Sequence, residues 1–425
     1  MPAPERRSRL DVIVTAVLVV AVLSVSSALW WTSDARHTTL TAAPGPAPGY
    51  KAPGDRAAGY TDSANTQLPS ALTEAWRAPS PATPVPLVQG GTVITGDGGV
   101  VVGRELISGA VRWSYRRDRP LCTVAAAFQQ AVAVHQRGGT CSEVTALRWA
   151  DGRRAAQRTG PVEAPTRLVS NGNRVAASGQ RYLEVWRSDL VRTLAYGRLP
   201  TPVQPGAQPR PDCLHGSRAL GSAVGFGGAA GSAGRLALIE QCPGERVRLT
   251  VQRSDPKQPD QPEVDFSTLL SGTHAHVVAL NRDRVAVAVP DPARLVVLDK
   301  QGKAVAEHPL AVPSSDLRGN PPGGVVEATV TPTAMYWFTG SATVALDLVD
   351  LRPRWTRAGS LGPGTEVAGR VLLPVPGALA VVDTTTGQQV GALPVDRGDY
   401  RGPVATASSG AVVLERRGDT LVALR

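Results

Sequence analysis

The sequence predicts an all-β fold, an eight-bladed β-propeller that follows a single N-terminal transmembrane helix and a flexible linker. Three observations predict it: an uncharged run of 20 residues near the N-terminus, a Pro/Ala/Gly-rich stretch after it, and a recurring unit of short strands beyond residue 72. The units average about 44 residues, and a period of about 40–50 residues with four strands per repeat is typical of propeller blades.

The uncharged run extends from Val12 to Trp31. As a helix, 20 residues rise about 30 Å, roughly the thickness of a bilayer's hydrocarbon core. Three arginines precede the run: Arg6, Arg7 and Arg9. Basic residues favour the cytoplasmic side, so we expect residues 1–9 to be cytoplasmic and residues 10–31 to span the cell membrane once. Everything after Trp31 is then extracytoplasmic.

A cleaved signal peptide is the alternative for this segment. Signal peptides have an apolar core of about 7–15 residues followed by small residues at the cleavage site. Here the run is longer, and the bulky Trp30 and Trp31 stand where small residues are required. The anchor is therefore favoured, with cleavage after Ala35 left open. Both interpretations place the rest of the chain outside the cytoplasm.

The net charge of the chain is +10. Three arginines against one Glu and one Asp give residues 1–31 a charge of +1, so the exported part carries +9. A basic exported domain can approach anionic lipid headgroups or acidic polymers, although an arginine-rich proteome from a GC-rich genome explains the same charge. The arginines are scattered, and no block resembles a nucleic-acid-binding tail.

The four cysteines all lie in the part expected to be exported, where disulfides form. They are Cys122, Cys141, Cys213 and Cys242. Four cysteines allow three pairings. Separations of 19 and 29 residues each match one β-hairpin unit, which favours Cys122–Cys141 and Cys213–Cys242. A zinc site is disfavoured because there is no C-x-x-C spacing.

Residues 32–71 are rich in Pro, Ala, Gly, Thr and Ser and are predicted to form a flexible tether. Order is expected from Leu72, where LTEAWRAP forms a lone strand. The last unit ends at Arg425 with only three strands. If the lone strand completes that last blade, the ring closes and residues 72–425 form one propeller.

Strand–turn–strand patterns mark eight units, with seven blades as the alternative because two units are irregular. The units begin near Val85, Leu121, Leu168, Cys213, Ala275, Val325, Glu366 and Val404. Three Pro-rich insertions, 200–212, 254–263 and 314–324, interrupt the rhythm and are expected to be surface loops.

The units resemble the PQQ-repeat, or quinoprotein-alcohol-dehydrogenase-like, β-propeller superfamily. The motif there is a strand ending in Asp, a Thr/Ser-Gly turn, and a strand ending in Trp. Its matches here are Ser108, Gly109 and Trp113 in the first blade, Asp383, Thr386 and Gly387 in the seventh, and Trp149, Trp186 and Trp355 in part. The anchored layout is also similar to exported actinobacterial PQQ-repeat proteins, which are compared with the outer-membrane-barrel assembly factor.

The departures from that family bear on activity. Quinoprotein dehydrogenases carry a disulfide between adjacent cysteines, and this sequence has no adjacent pair. Their Ca²⁺-binding and catalytic acidic residues have no alignable counterparts here. Four tryptophans, Trp30, Trp31, Trp76 and Trp337, are not in blade-like positions. The resemblance therefore implies the fold and no cofactor, and quinone-dependent oxidation is rejected.

Three local patterns resemble functional sites. His274 and His276 would project from one face of a strand, but no third metal ligand is near. Asp97 lies in TGDGG, which a tight hairpin turn explains. Residues 225–234 are Gly-rich but lack the Lys and the following helix of a phosphate-binding loop. No catalytic, metal or cofactor residue is predicted.

The sequence thus predicts a membrane-anchored, extracytoplasmic propeller that acts as a non-enzymatic binding scaffold in the cell envelope. Its partner would be an envelope protein, a nascent exported chain or an acidic cell-wall polymer, and not nucleic acid. The alternative is an enzyme or a small-ligand sensor that uses the central channel. Metal-dependent catalysis there predicts acidic and histidine side chains on the axis, and a scaffold predicts small or apolar ones.

Overall fold

The structure, a computed structural model, describes residues 8–31, 33, 36–45, 67–200, 204–221 and 234–425. Its helix α1 (Arg9–Trp31) has 23 residues, none of them buried, and is long and apolar enough to cross a membrane. The helix begins with reciprocal hydrogen bonds: the Ser8 amide donates to Asp11 Oδ2 (2.8 Å) and the Asp11 amide donates to Ser8 Oγ (3.1 Å). Such a pair satisfies amides that the first helical turn leaves free.

The remainder is an eight-bladed propeller, and the seven-blade alternative is wrong. Blade 1 contains β3 (Leu87–Gln89), β4 (Thr92–Asp97), β5 (Val100–Glu105) and β6 (Val111–Arg117). Blade 2 contains β7 (Leu121–Ala127), β8 (Gln130–Arg137), β9 (Thr140–Arg148) and β10 (Arg154–Thr159). Blade 3 contains β11 (Arg167–Ser170), β12 (Val175–Ser178), β13 (Tyr182–Trp186) and β14 (Arg192–Gly197). Blade 4 contains β15 (Leu214–Gly221), β16 (Arg235–Gln241), β17 (Arg248–Arg253) and β18 (Val264–Leu269).

The second half of the ring repeats this arrangement. Blade 5 contains β19 (His276–Leu280), β20 (Val285–Pro290), β21 (Ala293–Leu298) and β22 (Ala304–Pro309). Blade 6 contains β23 (Glu327–Val330), β24 (Met335–Phe338), β25 (Ala342–Leu346) and β26 (Pro353–Ala358). Blade 7 contains β27 (Thr365–Val367), β28 (Arg370–Val375), β29 (Ala378–Asp383) and β30 (Gln389–Pro394). Blade 8 contains β31 (Val404–Ser409), β32 (Val412–Arg417), β33 (Thr420–Leu424) and the N-terminal β2 (Glu74–Pro79).

The ring closes through β2, as the lone-strand prediction required. Strand β2 pairs antiparallel with β33, with Trp76 opposite Ala423. The amide of Thr73 donates to the carbonyl of Arg425 (2.9 Å), and the amide of Arg425 donates to the carbonyl of Thr73 (3.0 Å). Every blade begins within two residues of its predicted start. The alternating pattern and turn glycines therefore located each blade correctly.

The stretch predicted as one continuous tether, residues 32–71, differs from that prediction in one respect. Residues Thr38–Thr41 form a strand, β1, which pairs antiparallel with β6 and gives blade 1 a fifth, outermost strand. The sequence TTLT has three β-branched threonines, which suit a strand. The strand was not predicted because its residues are polar and show no apolar alternation. An edge strand with an exposed outer side needs none.

The up-and-down strand order gives the ring two faces. One face carries the segments between consecutive blades, such as 118–120, and the turns between second and third strands, such as 138–139. We call it the connection face. We call the hairpin face the opposite one, which carries the turns between third and fourth strands, such as 106–110 and 149–153. The innermost strand of each blade faces the central channel.

Candidate functional site

Three contacts between blades follow one rule at the fourth strand, counted from the channel. A tryptophan there packs its ring on a turn glycine of the next blade and donates its indole N–H to a turn carbonyl. The three cases are Trp113 on Gly152 with Trp149 O (3.0 Å), Trp355 on Gly387 with Thr384 O (3.1 Å), and Trp76 on Gly109 with Leu106 O (2.9 Å). These glycines have φ between +71° and +76°, which an L-residue adopts only with strain.

At the same contact elsewhere in the ring, the small residue is on the fourth strand and the large residue is in the facing turn. Ala306 takes the tryptophan position on β22, opposite Val297, and the facing turn of blade 6 carries Leu351. Leu351 is fully buried at φ +60°, and its amide donates to the carbonyl of Asp347 (3.1 Å), as the turn glycine Gly387 does to Asp383 (3.0 Å). Each such contact thus combines one large and one small residue, as close packing between blades requires.

The predicted motif residues lie in the strands and turns of the blades, and Trp113, Trp355, Gly109 and Gly387 take part in these contacts. Ser108 and Gly109 form the turn before β6, and Asp383 accepts the amides of Thr385 and Thr386. Trp149 donates to the carbonyl of Thr92 (2.9 Å), and Trp186 donates to Glu184 Oε2 (2.6 Å). They are structural side chains of the blades.

The four tryptophans predicted to lie outside blade-like positions form three groups. The prediction that Trp76 lies outside the blade pattern is wrong, because it makes the same glycine contact as Trp113. Trp337 is buried on β24, in the core between blades 5 and 6. Trp30 and Trp31 lie at the end of α1 and are exposed. The register of Trp76 depends on β33, which is more than 340 residues away in sequence.

All four cysteines are paired as predicted. Cys122 and Cys141 (S–S 2.09 Å) connect β7 to β9 within blade 2, and Cys213 and Cys242 (2.04 Å) flank the β15–β16 hairpin of blade 4. Each bridge closes a local loop, and loops of this size stabilise a fold by about 3 kcal/mol in the chain-entropy model. Disulfides of this kind indicate an oxidising, extracytoplasmic compartment.

The connection-face mouth of the channel is crossed by the third Pro-rich insertion. We call residues 314–324 the strap; it contains two short 3₁₀ turns, Ser314–Leu317 and Pro322–Gly324. The strap leaves the ring between blades 5 and 6 but is held by the innermost strands of blades 3 and 4. Arg218 on β15 donates to the Gly323 carbonyl (2.7 Å), and Arg167 on β11 donates to the Pro322 carbonyl (3.2 Å).

The strap is a fixed part of the molecule rather than a free surface loop. Leu317 is fully buried, and Asp316 accepts hydrogen bonds from the hydroxyls of Thr339 and Ser341 (both 2.7 Å). Burial lowers the pKa of Arg218 to about 10, which still leaves the guanidinium charged at neutral pH. Arg218 therefore donates to the strap carbonyls as a cation.

Small and apolar residues make up most of the innermost strands, such as LCTVAAA in β7, RLVS in β11 and VATASS in β31. The charged residues on these strands include Arg167 and Arg218, both of which donate hydrogen bonds to carbonyls of the strap. Glu366 is bound by the hydroxyls of Thr331 and Tyr336. Among the residues that the structure describes, no group of three His, Cys, Asp or Glu side chains is placed to hold a metal ion.

The opposite mouth, on the hairpin face, opens into a depression of about 400 Å³ at blades 1–3. Amide and aromatic side chains line it, namely Gln89, Phe128, Gln129, Asn171 and Asn173. Asn171 is engaged in its own turn, since its side-chain oxygen accepts the amides of Asn173 and Arg174.

The three local patterns fall in different places. His274 is exposed before β19, and His276 is buried as the first residue of β19. Asp97 ends β4 at the tight turn with Gly98 (φ +53°). Of the Gly-rich stretch 225–234, only Gly234 is among the described residues. Of the other two insertions, 200–212 is described at residues 200 and 204–212, and 254–263 is described in full.

Sequence reasoning missed four buried glutamates, each enclosed by arginine or tyrosine. Glu415 is the clearest: Arg397 (2.7 Å) and Arg417 (2.8 Å) both bond it, and all three side chains are at most 7% exposed. The others are Glu143, Glu184 and Glu240. Burial and Glu240 raise the pKa of Tyr196, which donates to that carboxylate (2.6 Å). The sequence signal is a lone Glu within a strand of buried apolar residues.

No protein-family model matches the chain, and no curated protein matches it. Among solved structures, it is similar to Sqt1 of Saccharomyces cerevisiae, with 10% identity, a TM-score of 0.51, and coverage of 85% of this chain and 98% of that one. It is also similar to the dihydro-heme d1 dehydrogenase NirN in complex with DHE, with 14% identity, a TM-score of 0.44, and coverage of 77% and 67%. The likeness to Sqt1 shows a shared fold alone, and membership of the PQQ-repeat superfamily stays a prediction.

Proposed function

We propose that this protein is a membrane-anchored, extracytoplasmic propeller that binds an envelope protein or an acidic wall polymer as a scaffold. The occupied channel mouth carries this proposal. Because Arg167 and Arg218 are bound to the strap, the polar groups of the innermost strands there are used within the molecule. Recognition is then left to the outer surface of the ring.

The apolar helix and the two disulfides support the location. A helix of 23 residues with no buried side chain has no place in the propeller core. Two bridges within single blades require an oxidising compartment to persist. Together they favour a ring held outside the cytoplasm by α1.

The hairpin face supports binding of a partner. Turns between third and fourth strands there display apolar side chains on blades 1, 3 and 6: Ile107, Val191 and Val349, of which Val349 is 79% exposed. Each of these side chains offers an apolar contact to a bound protein.

Site-specific photocrosslinking in intact cells tests the proposal. A photoreactive residue replaces Val349 on the hairpin face or, as a matched control, Val305 on the outer edge of blade 5 (48% exposed). We expect a discrete adduct from position 349 and not from position 305. Equal patterns at both positions, or a protein that fractionates with the cytoplasm with reduced cysteines, would overturn the proposal.

A second candidate function is recognition of a small polar ligand at the depression beside Gln89 and Phe128. Its volume of about 400 Å³ is within the range of small-molecule sites. A ligand-dependent rise in the unfolding temperature that Gln89→Ala removes would support it. No rise for any polar metabolite tested would exclude it.

A further inference from the structure

Residues 36–45 determine which face of the ring is turned toward the membrane. We propose that the connection face at blades 1 and 2 lies on the membrane and contacts anionic lipid headgroups. This inference rests on the proposed membrane anchor. It is carried by three observations: the short chain after α1, the direction of β1, and the arginines around the point where β1 begins.

The chain between the helix and the ring is short. Six residues, 32–37, lie between Trp31 and Thr38, and the seven steps from one Cα to the next span at most about 25 Å. The contacts shorten it further. The guanidinium carbon of Arg36 lies 3.8 Å from the centroid of the Trp31 ring, and Nδ1 of the next residue, His37, lies 3.1 Å from Asp118 Oδ2. Asp118 belongs to the connection between blades 1 and 2.

The direction of β1 shows where the chain enters the ring. Thr38 lies opposite Arg117, at the connection-face end of β6, and Thr41 lies opposite Ser114. The chain then continues to the hairpin face, where the Ala43 amide donates to the carbonyl of Asp151 (3.0 Å). Because α1 ends at the membrane surface, the connection face of blade 1 is the part of the ring nearest to that surface.

The surface at this entry point is basic. Within the described residues of this corner, five arginines stand against three acidic residues: Arg36, Arg116, Arg117, Arg119 and Arg137 against Asp97, Asp118 and Glu143. The exposed side chains are those of Arg36, Arg116 and Arg137 against those of Asp97 and Asp118, while Glu143 is buried beneath Arg117. The accessible charge is therefore positive. Basic residues near a membrane are attracted to anionic lipids over about one Debye length.

Energy transfer in the full-length protein tests the orientation. The protein is reconstituted into phosphatidylcholine vesicles that contain phosphatidylglycerol and a lipid-borne acceptor. A donor dye is attached at Asp97→Cys on the connection face or at Ile107→Cys on the hairpin face, both exposed and both in blade 1. All four native cysteines are paired, so the new thiol is the one labelled. The strand between these positions spans about 20 Å.

We expect higher transfer from position 97 than from position 107. Equal transfer, or higher transfer from 107, would overturn the orientation. Alkaline carbonate extraction separates the two failures. A protein that carbonate removes from the vesicles contradicts the anchor itself, whereas a retained protein with the opposite transfer order contradicts only the orientation.

The lipid contact is tested with a matched pair of variants in blade 2. Arg137→Gln removes an exposed guanidinium on the connection face, and Arg153→Gln removes one on the hairpin face (52% and 64% exposed). We expect phosphatidylglycerol to raise the transfer from position 97 relative to pure phosphatidylcholine. Arg137→Gln should lower that gain and Arg153→Gln should leave it. Equal transfer from position 97 in the two lipid compositions, or a gain that Arg137→Gln leaves unchanged, would overturn the headgroup contact.

Discussion

The indole nitrogen of Trp76 lies 2.9 Å from the carbonyl oxygen of Leu106, and this bond joins the N-terminal strand of blade 8 to blade 1. The same ring covers Gly109, whose missing side chain leaves room for it. Ring closure thus combines a backbone ladder between β2 and β33 with the indole contact that other blades use. The contact between the first and last blades is therefore built like those within the ring.

Trp76→Ala should lower the free energy of unfolding by about 2–4 kcal/mol, because it removes a large ring from the closing contact. Trp76→Phe should cost only about 1 kcal/mol, the value of the lost hydrogen bond. Phe266 already occupies the equivalent position on β18 and packs on Gly302. Denaturant unfolding followed by circular dichroism distinguishes the two. Equal losses would show that the ring itself contributes nothing.

Gly387→Ala should destabilise the protein more than Gly377→Ala. Both glycines are in blade 7 with nearly equal φ, +71° and +74°, so both substitutions carry about 1–2 kcal/mol of backbone strain. A Cβ at Gly387 would lie 2.6 Å from the Trp355 ring, whereas one at Gly377 meets no atom within 4 Å. We expect an extra loss of about 1–3 kcal/mol from overpacking. The comparison of unfolding midpoints is decisive, since matching midpoints would contradict the indole contact.

Leu351 and Ala306 should behave as a coupled pair. Leu351→Gly alone leaves a cavity, and Ala306→Phe alone overfills the same contact between blades 5 and 6. The double variant recreates the aromatic–glycine arrangement of Phe266 and Gly302. A double-mutant cycle should give a favourable coupling of about 1–3 kcal/mol. Additive losses would mean that these two positions do not share one contact.

His215 should make the fold sensitive to acid. Burial, and then the charge of Arg218, lower the pKa of His215 to about 3. An unfolded histidine has a pKa near 6.5, so the unfolded state takes up the proton first as the pH falls. The stability contributed by neutral His215 is therefore complete above about pH 6.5 and declines toward pH 3. Between pH 7 and 4.5 we expect a loss of roughly 3 kcal/mol.

His215→Phe tests this without breaking a hydrogen bond. Neither ring nitrogen of His215 has a hydrogen-bond partner among the described residues, and the ring stacks on Tyr196 with centroids 5.6 Å apart. The variant should lose roughly 3 kcal/mol less than the wild type between pH 7 and 4.5, and the slope that remains belongs to His135 and His276, whose pKa values burial also lowers. The matched control is the exposed His274, where substitution by Phe should leave the wild-type slope unchanged. Identical pH slopes for wild type and His215→Phe would refute the assignment.

Much of the architecture could be predicted because it is encoded locally. The spacing of turn glycines and alternating strands placed every blade start within two residues, from blade 1 (predicted Val85, observed Leu87) to blade 8 (Val404 in both). Hairpin-sized separations indicated both disulfides, and a missing fourth strand indicated closure by LTEAWRAP. These features depend on neighbours within one or two strands.

The site was harder to predict because its parts meet only in three dimensions. The strap, which the sequence suggested was a surface loop, is held by Arg218 from a strand about 100 residues earlier. A proline-rich composition says nothing about which distant arginine will bind its carbonyls. The buried cluster of Glu415, Arg397 and Arg417 is similarly made by a loop and a strand that come together in blade 8.

The sequence by itself determined the periodic features: an apolar helix, eight blades, a closing strand and two local disulfides. Each follows from residue spacing, since strand alternation and turn chemistry act over a few residues. Only the tertiary structure decided that Trp76 docks on Gly109, that the strap crosses the channel, and that Thr38–Thr41 joins blade 1. Those choices depend on shape and hydrogen-bond partners supplied by residues distant in the chain, and no local pattern specifies them.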